Sequence, residues 1–124
     1  MQDHTKIRVW RAAHRLSTDL HDLLADIPRI RVPNLRSQLL RAASSVPTNI
    51  VEGCGAESRA EFARYLDTAL KSLKELEYHL LRLHEARYID ARTYRRFDAR
   101  VTDVRRQLYA FTMAVRRRRE KGEL

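Results

Sequence analysis

The sequence predicts an all-α protein, an antiparallel up-down-up-down four-helix bundle. Only three Gly and three Pro occur among 124 residues, whereas hydrophobic residues make up 44% of the chain. Few turn-forming residues indicate long helices rather than a turn-rich β fold or a disordered chain. The hydrophobic residues also recur at alternating steps of three and four, which is the spacing of a helix with one buried face. Three short breaks favour four antiparallel neighbours and one domain over residues 1–124.

The first predicted helix carries a heptad seam and ends near Pro28. Its seam residues are Val9, Ala13, Leu16, Leu20, Leu23 and Ile27. Proline fixes its own backbone and lacks an N–H, so Pro28 ends this helix and Pro33 fits the first turn of the next. The resulting spans of roughly 22 to 30 residues per helix predict rods of about 33 to 45 Å.

The second helix is expected to run from Leu35 to Val51 with Pro47 inside it. Proline within a helix removes one donor and presses on the preceding turn, which predicts a kink at Pro47. Ser44 and Ser45 lie close enough to satisfy the freed carbonyl groups. The segment Gly53-Cys54-Gly55 then supplies a left-handed helix stop.

Helices three and four begin at recognisable caps. Ser58 and Glu61 form a Ser-x-x-Glu capping box, and Asp90 is the predicted N-cap of helix four. The helix-three seam comprises Phe62, Leu66, Ala69, Leu73, Leu76, Leu80 and Leu83. The helix-four seam comprises Tyr94, Phe97, Val101, Val104, Leu108, Phe111 and Val115. Residues 116–124 are expected to form a frayed basic tail.

Two helices carry more apolar residues than one seam requires. These residues are Ile7, Trp10 and Leu24 in helix one and Ala63, Leu70 and Leu81 in helix three. Additional apolar faces on a small bundle are commonly buried against another subunit, which predicts a homo-oligomer.

The net charge is +9, and Arg supplies 21 of the 25 cationic residues. The planar guanidinium fork matches phosphate geometry, so this bias favours a polyanionic partner. Helix four holds most of the excess, and its arginines leave the apolar seam intact. The predicted nucleic-acid-binding residues are Arg92, Arg95, Arg96, Arg100, Arg105, Arg106, Arg116 and Arg117. The alternative is a solvated face on a protein-interaction scaffold.

The sequence predicts no enzyme, no metal site and no cofactor. Cys54 is the only cysteine and is expected to be a buried, inert thiol. Glu75 and His79 are four residues apart, but no partner motif completes a di-iron set. One enzymatic alternative stays open, since some helical RNases of the HEPN class use Arg followed after four to six residues by His. Arg8 with His14, and Arg15 with His21, fit that spacing.

The N-terminal residues lack an apolar secretory region, and no stretch has the roughly 18 apolar residues of a membrane span. The sequence therefore predicts a cytoplasmic protein without a membrane partner.

Several segments resemble the 23S rRNA intervening-sequence protein family. The most specific is the Pro-x-Asn-x-x-Glu-Gly pattern of residues 47–53, and residues 58–62 and 73–77 extend the likeness. Its signature positions are Pro47, Asn49, Glu52 and Gly53, for which the likeness implies structural roles at the kink and helix end.

This resemblance implies a four-helix bundle that assembles as a homopentamer. It also implies kinship with the accessory variability determinant proteins of diversity-generating retroelements, which bind nucleic acid and partner a reverse transcriptase. The family is not known for catalysis. Its expected role here is nucleic-acid binding, as a retroelement or rRNA-insertion accessory protein.

Overall fold

The computed structural model describes residues 2–120, with side chains described for residues 2–117. Within that range the chain is all-helical and contains no β-strand. A short 3-10 helix, His4–Lys6, precedes α1 (Arg8–Ala25), α2 (Leu35–Cys54), α3 (Arg59–Glu85) and α4 (Ala91–Glu120). The all-α prediction with four long helices is confirmed. Residues 121–124 of the predicted basic tail lie outside the described residues, whereas residues 116–120 continue α4.

The predicted seam of α3 forms the centre of the core. All seven of its residues are buried, and those from Leu66 to Leu83 are fully so. In α4 the seam is also inward, although Tyr94 and Phe111 are only half-buried. Thr112 is fully buried beside this seam, where its Oγ1 donates a hydrogen bond to the Leu108 carbonyl at 2.7 Å. That internal bond satisfies the hydroxyl without a partner from another helix.

The seam prediction for α1 is wrong at its end. Leu24 is fully buried, whereas Leu23 and Ile27 are only half-buried. A straight helix drifts from a strict seven-residue repeat, which brings Leu24, four residues after Leu20, onto the core face. The helix stops at Ala25, and the Arg36 guanidinium donates to the carbonyls of Leu24, at 2.7 Å, and Ile27.

The start of α2 at Leu35 agrees with the expected span, whereas the placement of Pro33 in its first turn is wrong. Pro33 lies outside the helix, which begins at Leu35 after Asn34 adopts a left-handed backbone with φ 65°. The Leu35 N–H donates to the Val32 carbonyl at 3.2 Å, so Pro33 lies in a turn that precedes the helix. With 18 and 20 residues, α1 and α2 are shorter than the predicted minimum.

The predicted left-handed stop at the end of α2 is wrong. Gly55 has φ −89°, a conformation open to any residue. Gly53 is needed for a different reason, because a Cβ there would lie 2.8 Å from Phe62 Cδ1 and 3.1 Å from Tyr65 Cβ. The absence of a side chain thus lets α2 approach the start of α3 closely.

Both predicted N-caps are confirmed. Ser58 Oγ accepts a hydrogen bond from the Glu61 N–H at 3.1 Å, and Asp90 Oδ1 accepts one from the Thr93 N–H at 2.8 Å. The Glu61 carboxylate completes the capping box by accepting from the Glu57 N–H, one residue before the expected position. The backbone hydrogen bond from Thr93 lowers the pKa of Asp90, since it favours the ionised cap.

Pro47 lies inside the helical span of α2, and the polar groups around it differ from the expectation. The hydroxyls of Ser44 and Ser45 were predicted to satisfy the freed carbonyls. Those hydroxyls lie against Ser17 Oγ, at 3.4 Å, and Ser72 Oγ, at 2.7 Å. Thr48 Oγ1 donates to the Ser44 carbonyl and Asn49 Nδ2 to the Ser45 carbonyl, both at 2.8 Å. The carbonyl that loses its backbone donor at Pro47 is that of Ala43, four residues earlier, so these bonds reach the two carbonyls that follow it.

The end of α3 contains a strained residue, Arg87, whose φ is 68°. Because a Cβ makes this region unfavourable by roughly 1–2 kcal/mol, Arg87→Gly is expected to raise the free energy of unfolding by about 0.5–1 kcal/mol. Urea unfolding would measure the change. Arg87→Ala is the matched control, since it removes the guanidinium but keeps the Cβ. Equal stabilisation by both variants would contradict the backbone explanation.

Half of the additional apolar residues belong to the core of the single chain. Ile7, Leu24 and Ala63 are buried, whereas Trp10 and Leu70 are partly buried and Leu81 is 36% exposed. Their placement in the core reduces the apolar surface that an oligomer would have to cover. No helix among the described residues has the length and apolar character to cross a membrane.

Candidate nucleic-acid interface

The eight candidate arginines of α4 divide into two groups. Three form ion pairs with neighbouring helices: Arg100 with Asp19 at 2.8 Å, Arg105 with Glu77 at 2.6 Å, and Arg116 with Asp67. These three are half-buried. Their guanidinium groups hold α4 against α1 and α3, so their charges are already compensated.

The other five candidates are exposed and form no ion pair with any described carboxylate. They are Arg92, Arg95, Arg96, Arg106 and Arg117, called here the outer strip. At about 100° per residue they fall within an arc of roughly 100°, on the side of α4 opposite its buried seam. Arg95, Arg106 and Arg117 recur every eleven residues, which spaces them by about 16 Å.

One end of the outer strip lies near negative charge. Arg96, Phe97 and Arg100 share a cleft of about 330 Å³ with three aspartates of α1, which are Asp19, Asp22 and Asp26. The guanidinium carbons of Arg96 and Arg100 lie 5.2 and 5.4 Å from the Phe97 ring centroid. The carboxylates reduce the positive potential around Arg96. Arg106 and Arg117 lie farthest along α4 from this acidic cleft, so their positive potential is reduced least.

A second cleft lies between α1 and α2. It has a volume of about 330 Å³ and is lined by His14, Ser17, Thr18, His21, Asp22, Ser44, Pro47 and Thr48. It brings together the two histidines of the RNase alternative, but neither Arg8 nor Arg15 lines it. His21 Nδ1 lies 2.8 Å from the Ser17 carbonyl and must donate to it, so a neutral His21 presents a lone pair at Nε2.

The other residues singled out in the sequence make contacts within the helical bundle or lie on its surface. Glu75 and His79 are hydrogen bonded at 3.2 Å, and the described residues contain no group of three or more potential metal ligands. Cys54 is buried, and burial raises the pKa of its thiol, which disfavours the reactive thiolate. Among the signature residues, Pro47 and Gly53 are buried, Asn49 is half-buried, and Glu52 is exposed.

A family comparison matches the model of the 23S rRNA-intervening sequence protein to residues 5–110. The chain belongs to this family. The match includes the first four arginines of the outer strip, up to Arg106, and ends before Arg116 and Arg117. It also contains the α1–α2 cleft in full.

A solved member of the S23 ribosomal protein family is similar to the chain. This protein of unknown function from Bacteroides thetaiotaomicron is 27% identical, with a TM-score of 0.77. The similarity covers 84% of this chain and 97% of the other. A comparison with curated proteins gave no match.

The contribution of the Arg105–Glu77 ion pair to the stability of this family member depends on pH. The hydrogen bond from Arg105 lowers the pKa of Glu77 below its ordinary 4.5, although partial burial opposes the shift. A carboxyl with a lowered folded-state pKa stabilises the protein above pH 4.5 and loses that effect as pH falls through the folded pKa. Arg105→Gln is expected to raise the Glu77 pKa and weaken this acid sensitivity.

The measurement is a carbon-13 NMR titration of the Glu77 carboxyl in both proteins, together with urea unfolding across the same pH range. Glu85, which lies on the same helix without a described ion pair, serves as the internal reference. An unchanged Glu77 titration in Arg105→Gln would contradict the assigned cause.

Sequence reasoning missed one aromatic cluster near the chain start. The rings of Trp10 and His14 stack at 4.9 Å with an interplanar angle of 9°, and His4 meets Trp10 edge-on at 4.6 Å. Trp10 and His14 are four residues apart, a spacing that places them on one helix face. That spacing is the available signal in the sequence, where Trp10 otherwise fits an apolar face and His14 is a candidate of the RNase alternative.

Proposed function

We propose that this member of the 23S rRNA-intervening sequence protein family is a non-catalytic, oligomeric protein that binds nucleic acid through the outer strip of α4. The observation that carries the proposal is the outward placement of Arg92, Arg95, Arg96, Arg106 and Arg117 on one face. Guanidinium groups on a helix can contact successive phosphates without rearranging the core. The three paired arginines are assigned to packing instead.

The proposal predicts binding with strong salt dependence and little base-pair discrimination. Each phosphate contact on duplex DNA contributes about 0.9 to the slope of log affinity against log salt, so five contacts give a slope of about −4 to −5. Fluorescence anisotropy with a labelled RNA and a labelled duplex DNA would measure it between about 50 and 200 mM salt. Absence of binding to both at the lower salt concentration would overturn the proposal.

We also propose that the chain forms a homo-oligomer. The family resemblance implies that this oligomer is a homopentamer. Support comes from exposed side chains on α3 and α4: Tyr78 is 59% exposed, Tyr109 is 58% exposed, and Leu81 is 36% exposed. Aromatic residues at such positions are common in protein interfaces. A monomeric mass in multi-angle light scattering at micromolar concentration would overturn this part. Repetition of the outer strip around an oligomer would multiply its field.

The proposed topology is an up-down-up-down bundle with α2 kinked at Pro47. Its support is the order of the interhelical pairs: Arg105 with Glu77 and Arg116 with Asp67 run in opposite directions on α3 and α4. Ser45 and Ser72, whose hydroxyls are 2.7 Å apart, connect α2 with α3. Interhelical distances from paired spin labels would test both helix direction and the bend.

The proposed biological role is that of a retroelement or rRNA-insertion accessory protein, with a reverse transcriptase as a candidate protein partner. The exposed tyrosines Tyr78 and Tyr109 also favour a second candidate, a protein-interaction scaffold without a nucleic-acid role. The salt titration separates the two. The RNase alternative is tested with a His14→Ala, His21→Ala double variant, since loss of an RNA cleavage activity present in the native protein would overturn the non-catalytic assignment.

A further inference from the structure

We propose that the α1–α2 cleft binds one unpaired guanine base, which stacks on His14, so that the nucleic acid preferred by this chain is single-stranded. The inference rests on the proposed nucleic-acid function but adds a second contact, on α1 and α2. It assigns base recognition to α1 and α2, where nearby cations hold the adjacent phosphates, and leaves the remaining phosphate contacts to the outer strip.

His14 provides the stacking surface. One face of its ring is covered by Trp10, at 4.9 Å and nearly parallel, while the residue as a whole is exposed. Trp10 is held in turn by the edge-on ring of His4, 4.6 Å away. The imidazole is therefore held in a fixed orientation with its second face available. Nucleobases stack on such side chains in sites that bind single strands.

Several polar atoms of the cleft can accept hydrogen bonds, beside the Ser17 and Ser44 hydroxyls, which lie 3.4 Å apart. Thr18 Oγ1 donates to the His14 carbonyl at 3.1 Å, and Thr48 Oγ1 donates to the Ser44 carbonyl at 2.8 Å. With their hydrogens engaged, both hydroxyl oxygens retain lone pairs. Asp22 adds a carboxylate, and His21, whose Nδ1 donates to the Ser17 carbonyl, offers Nε2 as an acceptor in its neutral form. The cleft thus complements a base that presents adjacent N–H donors.

Guanine presents such donors at its N1–H and its exocyclic amino group, and the two oxygens of one carboxylate can accept both. Uracil offers a single imino N–H beside two carbonyl groups, which would face the acceptors of the cleft. The cleft volume of about 330 Å³ is at the lower end of small-molecule sites, which span about 300–1,000 Å³. That size fits one base rather than a stack of several.

The charge on α1 suits the phosphates on either side of the base. Lys6, Arg8, Arg11 and Arg15 lie between residues 4 and 18, a stretch without Asp or Glu. Arg11 and Arg15 bracket His14 and are exposed. Arg11 donates to the Thr5 carbonyl at 2.9 Å, which positions its guanidinium beside the aromatic cluster and leaves its charge uncompensated. Neighbouring phosphates can therefore be held while the base enters the cleft.

The test uses the single tryptophan of the chain as its reporter. The native protein is titrated with the RNA heptamers UUUGUUU, UUUAUUU and UUUUUUU and with a guanine-containing RNA duplex, while Trp10 fluorescence and anisotropy are followed. The expected result is a saturable change in Trp10 fluorescence, with the guanine heptamer bound most tightly. His14→Ala should weaken heptamer binding about 10-fold, as loss of one stacked base does, with duplex affinity unchanged.

Two further variants distinguish the roles of the residues. His14→Phe keeps a ring and should retain most of the heptamer affinity, whereas Asp22→Asn should abolish the preference for guanine over adenine and uracil. Equal heptamer affinity in native protein and His14→Ala, with duplex binding still salt-dependent, would overturn the base site but leave the proposed function standing. No binding of any RNA would overturn both. Preferential binding of adenine would overturn the assignment to guanine.

Discussion

Gly53→Ala is expected to lower the free energy of unfolding by about 1–3 kcal/mol, the range typical of overpacked cores. The added Cβ would lie 2.8 Å from Phe62 Cδ1 and 3.1 Å from Tyr65 Cβ. Phe62 cannot swing aside freely, because it is buried and its ring packs edge-on against Phe111 at 5.8 Å. Tyr65 Cβ is attached directly to the α3 backbone, so relief requires the two helices to separate.

Gly55→Ala is the matched control for this prediction. A Cβ at Gly55 meets only the Glu52 carbonyl at 3.5 Å, an ordinary contact, and its φ of −89° suits alanine. Alanine there should be neutral or stabilising by a few tenths of a kcal/mol, about the range seen for a compatible Gly→Ala change. Urea unfolding of both variants measures the difference. A Gly53→Ala protein as stable as Gly55→Ala would show that α2 and α3 are not closely packed at this point.

Replacing Arg95, Arg106 and Arg117 together by Ala is expected to reduce nucleic-acid affinity about 100-fold near 0.1 M salt and the salt slope by about 3. These three belong to the outer strip and are exposed. Their removal eliminates phosphate contacts without disturbing an ion pair among the described residues. The free energy of unfolding should stay within about 0.5 kcal/mol of the native value, as for other surface substitutions.

A second triple variant carries the same change in net charge at the three paired positions, Arg100, Arg105 and Arg116. Here stability should fall, by up to about 1 kcal/mol per partly exposed pair, while the salt slope changes little. Anisotropy titrations at several salt concentrations and urea unfolding would measure both quantities. Equal loss of affinity in the two variants would show that net charge alone, rather than the outer strip, determines binding.

The sequence contained most of the information on the helices and less on their ends. Periodicity identified the α3 seam without error because seven consecutive seam positions face one buried environment. Ser58 and Asp90 were predictable as caps because their hydrogen bonds are local. The end of α1 was not predictable in this way, because the Arg36 guanidinium that donates to the Leu24 carbonyl belongs to the next helix.

For Gly53 and for the arginines of α4, the sequence predicts the local structure but not the contacts with other helices. The sequence predicts a helix stop at Gly53. Glycine is needed there because a Cβ would collide with Phe62, a contact that exists only when α2 and α3 are packed together. The arginines of α4 share a residue type and a helix, so sequence could not separate paired Arg105 from exposed Arg106. That separation depends on Glu77, which belongs to another helix. Expectations about oligomer and ligand stay predictions.

The Arg100–Asp19 ion pair joins the last helix to the first, with side chains that are 32% and 41% exposed. A contact between partners so far apart in the chain carries a large loop-closure cost unless the intervening helices have already formed. We therefore expect the contact between α1 and α4 to form late in folding. Salt screens a partly exposed pair, so we expect the same contact to open early during local unfolding. Amide hydrogens at this contact, where the first and last helices of the chain meet, are then expected to exchange before those of α3.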